Sequence, residues 1–162
     1  MHSVAIGNYA RAVGDYSFAE GLGGTYERLD LDNNTITVQA SSSGIASHTE
    51  GYQCSVNRAT GEHYAQHAEG YQTIAYGDAS HSEGYQTTVN GDYSHAQGYK
   101  SGVTKSGVAS FAGGWKSFAK GTAAFAHGYR TTAGYDHQFV VGSLNDNRED
   151  SLFEVGCGYV IE

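Results

Sequence analysis

Four histidines, His48, His67, His81 and His95, recur at the same place in a repeating pattern. Glu50, Glu69 and Glu83 follow the first three by two residues, and Gln97 follows the fourth. Imidazoles gathered in layers are a donor set for zinc or, once protonated, a site for an anion. The plainer alternative is that each ring pairs with a neighbouring carboxylate or backbone group and fills space.

Tyr52, Tyr71, Tyr85, Tyr99, Trp115 and Tyr129 form a second recurring set, each directly after a glycine. Stacked aromatics bind sugars, and they also hold one turn of a solenoid on the next; the regularity of the set favours stacking. A third candidate breaks the pattern. The insertion 22–44, LGGTYERLDLDNNTITVQASSSG, predicts a β-hairpin with a polar turn. Its Arg28, Asp30, Asp32, Asn33 and Asn34 are candidate recognition residues, because loops set on rigid scaffolds often carry binding. Asn33-Asn34-Thr35 also matches the short glycosylation sequon, which matters only in a eukaryotic secretory setting. The NDNRED stretch has carboxylates but lacks the glycine and spacing of a calcium loop. No GxSxG, HExxH, P-loop or dinucleotide fingerprint is present, so neither a catalytic residue nor a cofactor is expected.

The elements that must hold these residues follow from the glycines. Most fall seven apart, as at 70, 77, 84, 91 and 98. Two kinds of heptad alternate, one like DASHSEG and DYSHAQG, the other like YQTTVNG and WKSFAKG, so the unit is a coil of about fourteen residues. A helix would lose roughly 1 kcal/mol at each glycine, whereas short strands with glycine corners accept them, the corners calling for positive φ. Strand alternation puts Ser80, Ser82 and Gly84 on one face and His81 and Glu83 on the other. A face of Ser, Ala and Gly closes into a very narrow roll. The opposite face carries Val4, Ile6, Phe18, His48, His67, His81, His95, Phe111 and Phe125 as a column that needs a cover. A second copy of the chain is the simplest one.

Composition agrees. The chain has 162 residues, 23 glycines, 13 tyrosines, no proline and 39% hydrophobic residues, which suits a thin repetitive fold. A net charge of −8 disfavours nucleic acid and anionic membranes as partners, and no apolar run is long enough to span a bilayer. Cys54 and Cys157 show no ligand spacing. Charge is segregated: 59–99 holds Glu62, Glu69, Asp78, Glu83 and Asp92 without Lys or Arg, while 99–135 holds Lys100, Lys105, Lys116, Lys120 and Arg130 without an acid.

The N-terminal SVAIG, with FAEG, SHTEG, QHAEG, SHSEG, SHAQG and FAKG after it, resembles the head repeat of trimeric autotransporter adhesins over roughly 1–21 and 45–142. Repeats of this kind also look like those of phage tail fibres and tail-associated proteins. The resemblance implies an all-β fold, a left-handed parallel β-roll, with three rolls about a threefold axis. The Val4, Phe18 and His48 column would then face the axis or a seam between chains, bringing three equivalent histidines together in each central layer. Two departures stand out: histidine takes the place of the family's usual aliphatic residue, and no anchor or coiled-coil stalk is present.

The expected organisation is a β-roll head over 1–142, with the 22–44 insertion, and capping strands over 143–162. The expected function is non-enzymatic attachment to a host-surface receptor, glycan or protein, as a homotrimer; the alternative is a purely architectural spacer. MHSVAIG enters the repeat at once, leaving no room for a signal peptide, and the expected setting is a phage virion or a bacterial surface. Two substitution outcomes follow: a charge at Thr88 should be tolerated, and removal of the hairpin should leave the roll folded.

Overall fold

The computed structural model describes residues 2–56 and 64–158. Gly61 and Glu62 lie outside the described residues, as do 159–162 of the expected cap. Among the described residues every regular element is a strand, and the chain winds as a parallel β-solenoid of about ten coils.

One side of the solenoid is a ten-stranded sheet, the long sheet, ordered as the chain runs. Its strands are Val4–Ile6, Phe18–Leu22, His48–Tyr52, His67–Tyr71, His81–Tyr85, His95–Tyr99, Phe111–Trp115, Phe125–Tyr129, Phe139–Ser143 and Phe153–Cys157. All pair parallel and in register, so that His81 sits on His95 and Tyr85 on Tyr99. The other side is a five-stranded sheet, the short sheet, built from Ile74–Ala75, Thr88–Val89, Gly102–Val103, Phe118–Ala119 and Thr132–Ala133. Single bridges continue this side through Ser55, Ser42 and Ala12.

The interior is as thin as the small residues allow. Ala68, Ser82, Ala96, Ala112 and Ala126 point inward from the long sheet and meet Ala75, Val89, Val103, Ala119 and Ala133 of the short one, all essentially without solvent contact. Interior hydroxyls satisfy the carbonyls at the corners: Ser80 Oγ donates to Gly77 O at 2.6 Å, and Ser94 Oγ to Gly107 O at 2.7 Å. Ser and Ala are thus required for different reasons, one to close the backbone's hydrogen bonds and the other to keep the roll narrow.

The glycines meet the expectation of positive φ only in part. Positive φ is found at one glycine of each coil, such as Gly70, Gly84 and Gly98, but also at other residues, such as Ala79, Gln86, Tyr93 and Lys100, with φ between 47° and 57°. Glycine is required where coils touch. At Gly91, which is not left-handed, a Cβ would collide with the Gly107 carbonyl; at Gly98, with φ of 95°, it would strike that of Gly114. Close approach between coils, more than corner geometry, accounts for the seven-residue glycine period.

Two strands inside the insertion, Gly24–Leu29 and Thr35–Ala40, pair antiparallel and form an arm. Asp30 accepts hydrogen bonds from the amides of Asp32 (2.9 Å) and Asn34 (2.8 Å) and so ties the turn. The arm folds back over the short sheet. Tyr26, Val38 and Ala40 pack on Ile74, with Ile36 and Tyr76 alongside. Arg28 crosses to the solenoid, donating to Gln72 O at 2.6 Å, Gln86 O at 2.8 Å and Thr88 Oγ1 at 2.9 Å.

Two expectations change accordingly. Thr88 is buried beneath Arg28, so a charge there is not harmless. Arg28 anchors the arm to the solenoid and is only partly exposed, at the edge of the groove described below.

At the other end the strand Phe153–Cys157 extends the long sheet in register with Phe139–Ser143 instead of folding across it. The interior at that rung is closed by a polar side chain. Glu154 is buried and accepts from Gln138 Nε2 (2.9 Å), Asn145 Nδ2 (2.6 Å) and the Arg148 amide (2.7 Å). Burial alone would raise its carboxyl, but these donors outweigh burial and hold it below the usual carboxylate range. The NDNRED loop is therefore fastened by Glu154.

Candidate functional sites on the two outer faces

The first site is the outer face of the long sheet. Register places Val4, Phe18, His48, His67, His81, His95, Phe111 and Phe125 in one column, which continues through Phe139 and Phe153. Ile6 is not in it. It stands one position along on the same face, in a second column with Glu20, Glu50, Glu69, Glu83 and Gln97. Phe139 and Phe153 were not singled out from sequence because FVVG and FEVG lack the small residue of the other laps.

Within one chain the four imidazoles already stack, with centroids 4.7 Å apart from His48 to His67 and from His67 to His81, and 4.6 Å from His81 to His95. Both ends of this stack turn edge-to-face, onto Phe18 at 5.2 Å and onto Phe111 at 5.4 Å. Carboxylates lean in from the next column: Glu69 lies 3.9 Å from His67 Nε2 and 3.5 Å from His81 Nε2, and Glu83 lies 3.5 Å from His95 Nε2. These distances are too long for strong hydrogen bonds, and the four Nε2 atoms are shielded from solvent without one. Burial, then the neighbouring imidazoles, push the His67 and His95 pKa values down, against the pull of the glutamates.

His48, Glu50 and His67, and likewise His67, Glu69 and His81, bring their donor atoms within 4.8 Å of one another. The stack argues against a preformed metal site. Two nitrogens bound to one zinc at about 2.1 Å lie at most about 4.2 Å apart and aim at a common point. Rings stacked face to face at 4.7 Å aim in parallel instead. A ring must turn out of the stack before either set can close on an ion.

The aromatic ladder runs beside this face. Tyr52, Tyr71, Tyr85 and Tyr99 stack at 4.7 to 5.1 Å, Tyr99 meets Trp115 at 3.9 Å, and Trp115 meets Tyr129 at 6.5 Å. Between the carboxylates and the ladder the backbone of Gly70, Gly84, Gly98 and Gly114 floors an open trough of about 540 Å³.

The second site lies on the opposite face. Immediately after each ladder aromatic comes a polar residue in the left-handed conformation: Gln53, Gln72 and Gln86, then Lys100, Lys116 and Arg130. The glutamines bond side chain to side chain along the rod, Gln86 Nε2 to Gln72 Oε1 at 2.7 Å and Gln72 Nε2 to Gln53 Oε1 at 2.8 Å. The cations then take over the same row. They line a groove of about 870 Å³ between the arm's tip and the uncovered end of the short sheet. Sequence alone showed the basic stretch but not this row, although its sign was there: each of these cations follows an aromatic.

Of the predicted recognition residues, Arg28, Asp30, Asp32 and Asn33 line this groove, while Asn34 stays in the turn. Burial alone would raise the Asp30 carboxyl, but the amides of Asn34 and Asp32 hold it below the usual range. No family model, curated protein or solved structure matches this chain.

Proposed function

We propose that the chain is a non-enzymatic attachment module that works as a homotrimer of left-handed rolls on a phage tail or a bacterial surface. The observation that carries this reading is the unmatched treatment of the two outer faces. The short sheet is covered as far as Gly102 by the chain's own arm, and the long sheet presents ten rungs of histidine, phenylalanine and aliphatic side chains with no cover among the described residues. Val4, Ile6, Phe139 and Phe153 are 41% to 62% exposed, a large apolar outlay for a chain of this size unless copies pack there. A threefold arrangement would bury that face and leave the arm, its groove and the rod's flank outward for a receptor.

The spacer reading is favoured by one feature, the uninterrupted stacking of the histidine and tyrosine rows, which needs no ligand to explain it. The purified protein, sized by sedimentation equilibrium and then incubated with bacterial cell-wall and glycan preparations, separates the two. Retention on a preparation supports attachment; a trimer retained by none is a spacer. A folded monomer at micromolar concentration would remove the trimer from both readings.

A further inference from the structure

The groove beside the arm has a chemistry of its own. Along the short sheet the outward positions are Thr88, Gly102, Phe118 and Thr132, in register. Arg28 covers the first, and Leu31 lies over the second so closely that a Cβ on Gly102 would strike it. The arm stops there. Phe118 and Thr132 are left half-buried as a floor.

Cations stand on both sides of that floor. Lys116 and Arg130 rise from consecutive coils of one edge, next to Lys100, and Lys120 rises from the other. Their backbones are fixed by the coil-to-coil ladder: the Lys116 amide donates to Tyr99 O at 2.8 Å, Arg130 to Trp115 O at 2.7 Å and Lys120 to Ala133 O at 2.8 Å. Hydroxyls of Thr104 and Ser106 complete the wall beside Lys120.

Asp30 and Asp32 of the arm's tip share the groove, but among the described residues neither forms an ion pair with these cations. Among the described residues the ion pairs are all between histidine and glutamate on the long sheet. The acidic band of the rod is engaged differently: Glu69 and Glu83 lean on imidazoles, and Asp92 accepts the Asp78 amide at 2.9 Å. A chain with a net charge of −8 thus brings five of its nine cations, Arg28 among them, and only two carboxylates to one groove. Like charges held close together destabilise a fold unless an anion joins them.

The geometry points to an acidic glycan as the occupant, a sugar chain bearing carboxylate or phosphate groups, with the apolar face of one ring on Phe118 and its charges between Lys116, Lys120 and Arg130. The groove has the size of a few sugar units, and an aromatic floor flanked by convergent polar groups is what such a ligand needs. A long nucleic acid fits poorly, because its phosphates would run on to the acidic half of the rod. This inference rests on the attachment reading and specifies its ligand.

The test uses the full chain at physiological salt, with calorimetry against polygalacturonate, glycerol-phosphate teichoic acid, neutral dextran and inorganic polyphosphate. Binding to one acidic glycan and not to dextran is expected, and which one binds tells carboxylate from phosphate as the anion. Lys116→Glu and Arg130→Glu should each weaken that binding about tenfold or more, the loss of a charged hydrogen bond. Lys105→Glu, in the same basic stretch but outside the groove, should leave it unchanged. Phe118→Ala should weaken the glycan and not polyphosphate.

Equal losses for Lys105→Glu and Lys116→Glu, or a glycan affinity indifferent to Phe118, would overturn the proposal in favour of diffuse charge attraction. Should cell-wall preparations bind while no acidic glycan does, the groove assignment fails and the attachment reading stands. If neither binds, both fail.

Discussion

The solenoid has two outer faces built by the same fourteen-residue coil, and the chain treats them in opposite ways. Over the short sheet the coils present Ile74, Thr88 and Gly102, which an arm from the same chain covers with Tyr26, Val38, Leu31 and Arg28. Over the long sheet they present Val4 on the first rung and Phe or His on every later one, and nothing in the described chain lies on them. The contrast is instructive because the thin interior is the same behind both. With an Ala and Ser core, much of the stability must come from the outside of the roll, where the arm is always present and the proposed neighbouring copy would depend on concentration.

The sharpest way to break this contrast is to charge the open face. Phe125→Asp puts a carboxylate into the proposed seam once per chain, and loss of the trimer is expected by sedimentation, with Lys105→Asp as a control that assembles normally. If Phe125→Asp assembles as the wild type does, the long sheet is not the self-association face.

Next in size is the arm. Arg28→Ala leaves the Gln72 and Gln86 carbonyls without their donor, and a loss of about 2–4 kcal/mol in urea unfolding is expected, the range for breaking charged, partly buried hydrogen bonds. Unchanged stability would mean that the arm only rests on the short sheet and could serve as a movable recognition element after all.

The open face should also answer to pH. His67 and His95 titrate below their ordinary value because they are partly buried and stacked on His48 and His81, with Glu69 and Glu83 pulling the other way. The unfolded chain therefore binds protons first, near pH 6.5, and stability should fall as the pH drops through that value. Thermal melts at pH 7.5 and 5 check the sign; a protein more stable in acid would mean that its imidazoles are charged and paired with the glutamates or with an anion. The smallest effect belongs to the ladder that borders both faces. Tyr85→Ala removes two stacking contacts on an exposed edge, and about 0.5–1.5 kcal/mol of stability for each is the ceiling expected by calorimetry.

Periodicity made the coil legible. The glycine spacing, the Ser80/Ser82 against His81/Glu83 alternation and the aromatic after each glycine all report nearest-neighbour contacts, which a repeat writes into every lap. What stayed hidden was contact between residues far apart in the chain. Nothing in ERLDL says that Arg28 reaches Gln72, Gln86 and Thr88, because that meeting occurs once and leaves no period. The same holds at the far end, where Glu154 occupies the inward position that alanine holds in earlier laps, and the departure from AEG obscured a rung that is structurally regular. The cationic row falls between the two cases: periodic in position, but recognisable as a row only once Gln86 and Lys100 are seen at equivalent corners.

The in-register stacking of His81 on His95 and Tyr85 on Tyr99 also makes this molecule a ruler. Away from the arm and its groove each rung meets only the rungs before and after it, so one more fourteen-residue lap inserted there would advance the rod by about 4.8 Å without asking any existing contact to change. The separation between the arm's groove and either end is then a matter of copy number. Duplication and deletion of laps could adjust reach in fixed increments while leaving the binding chemistry untouched.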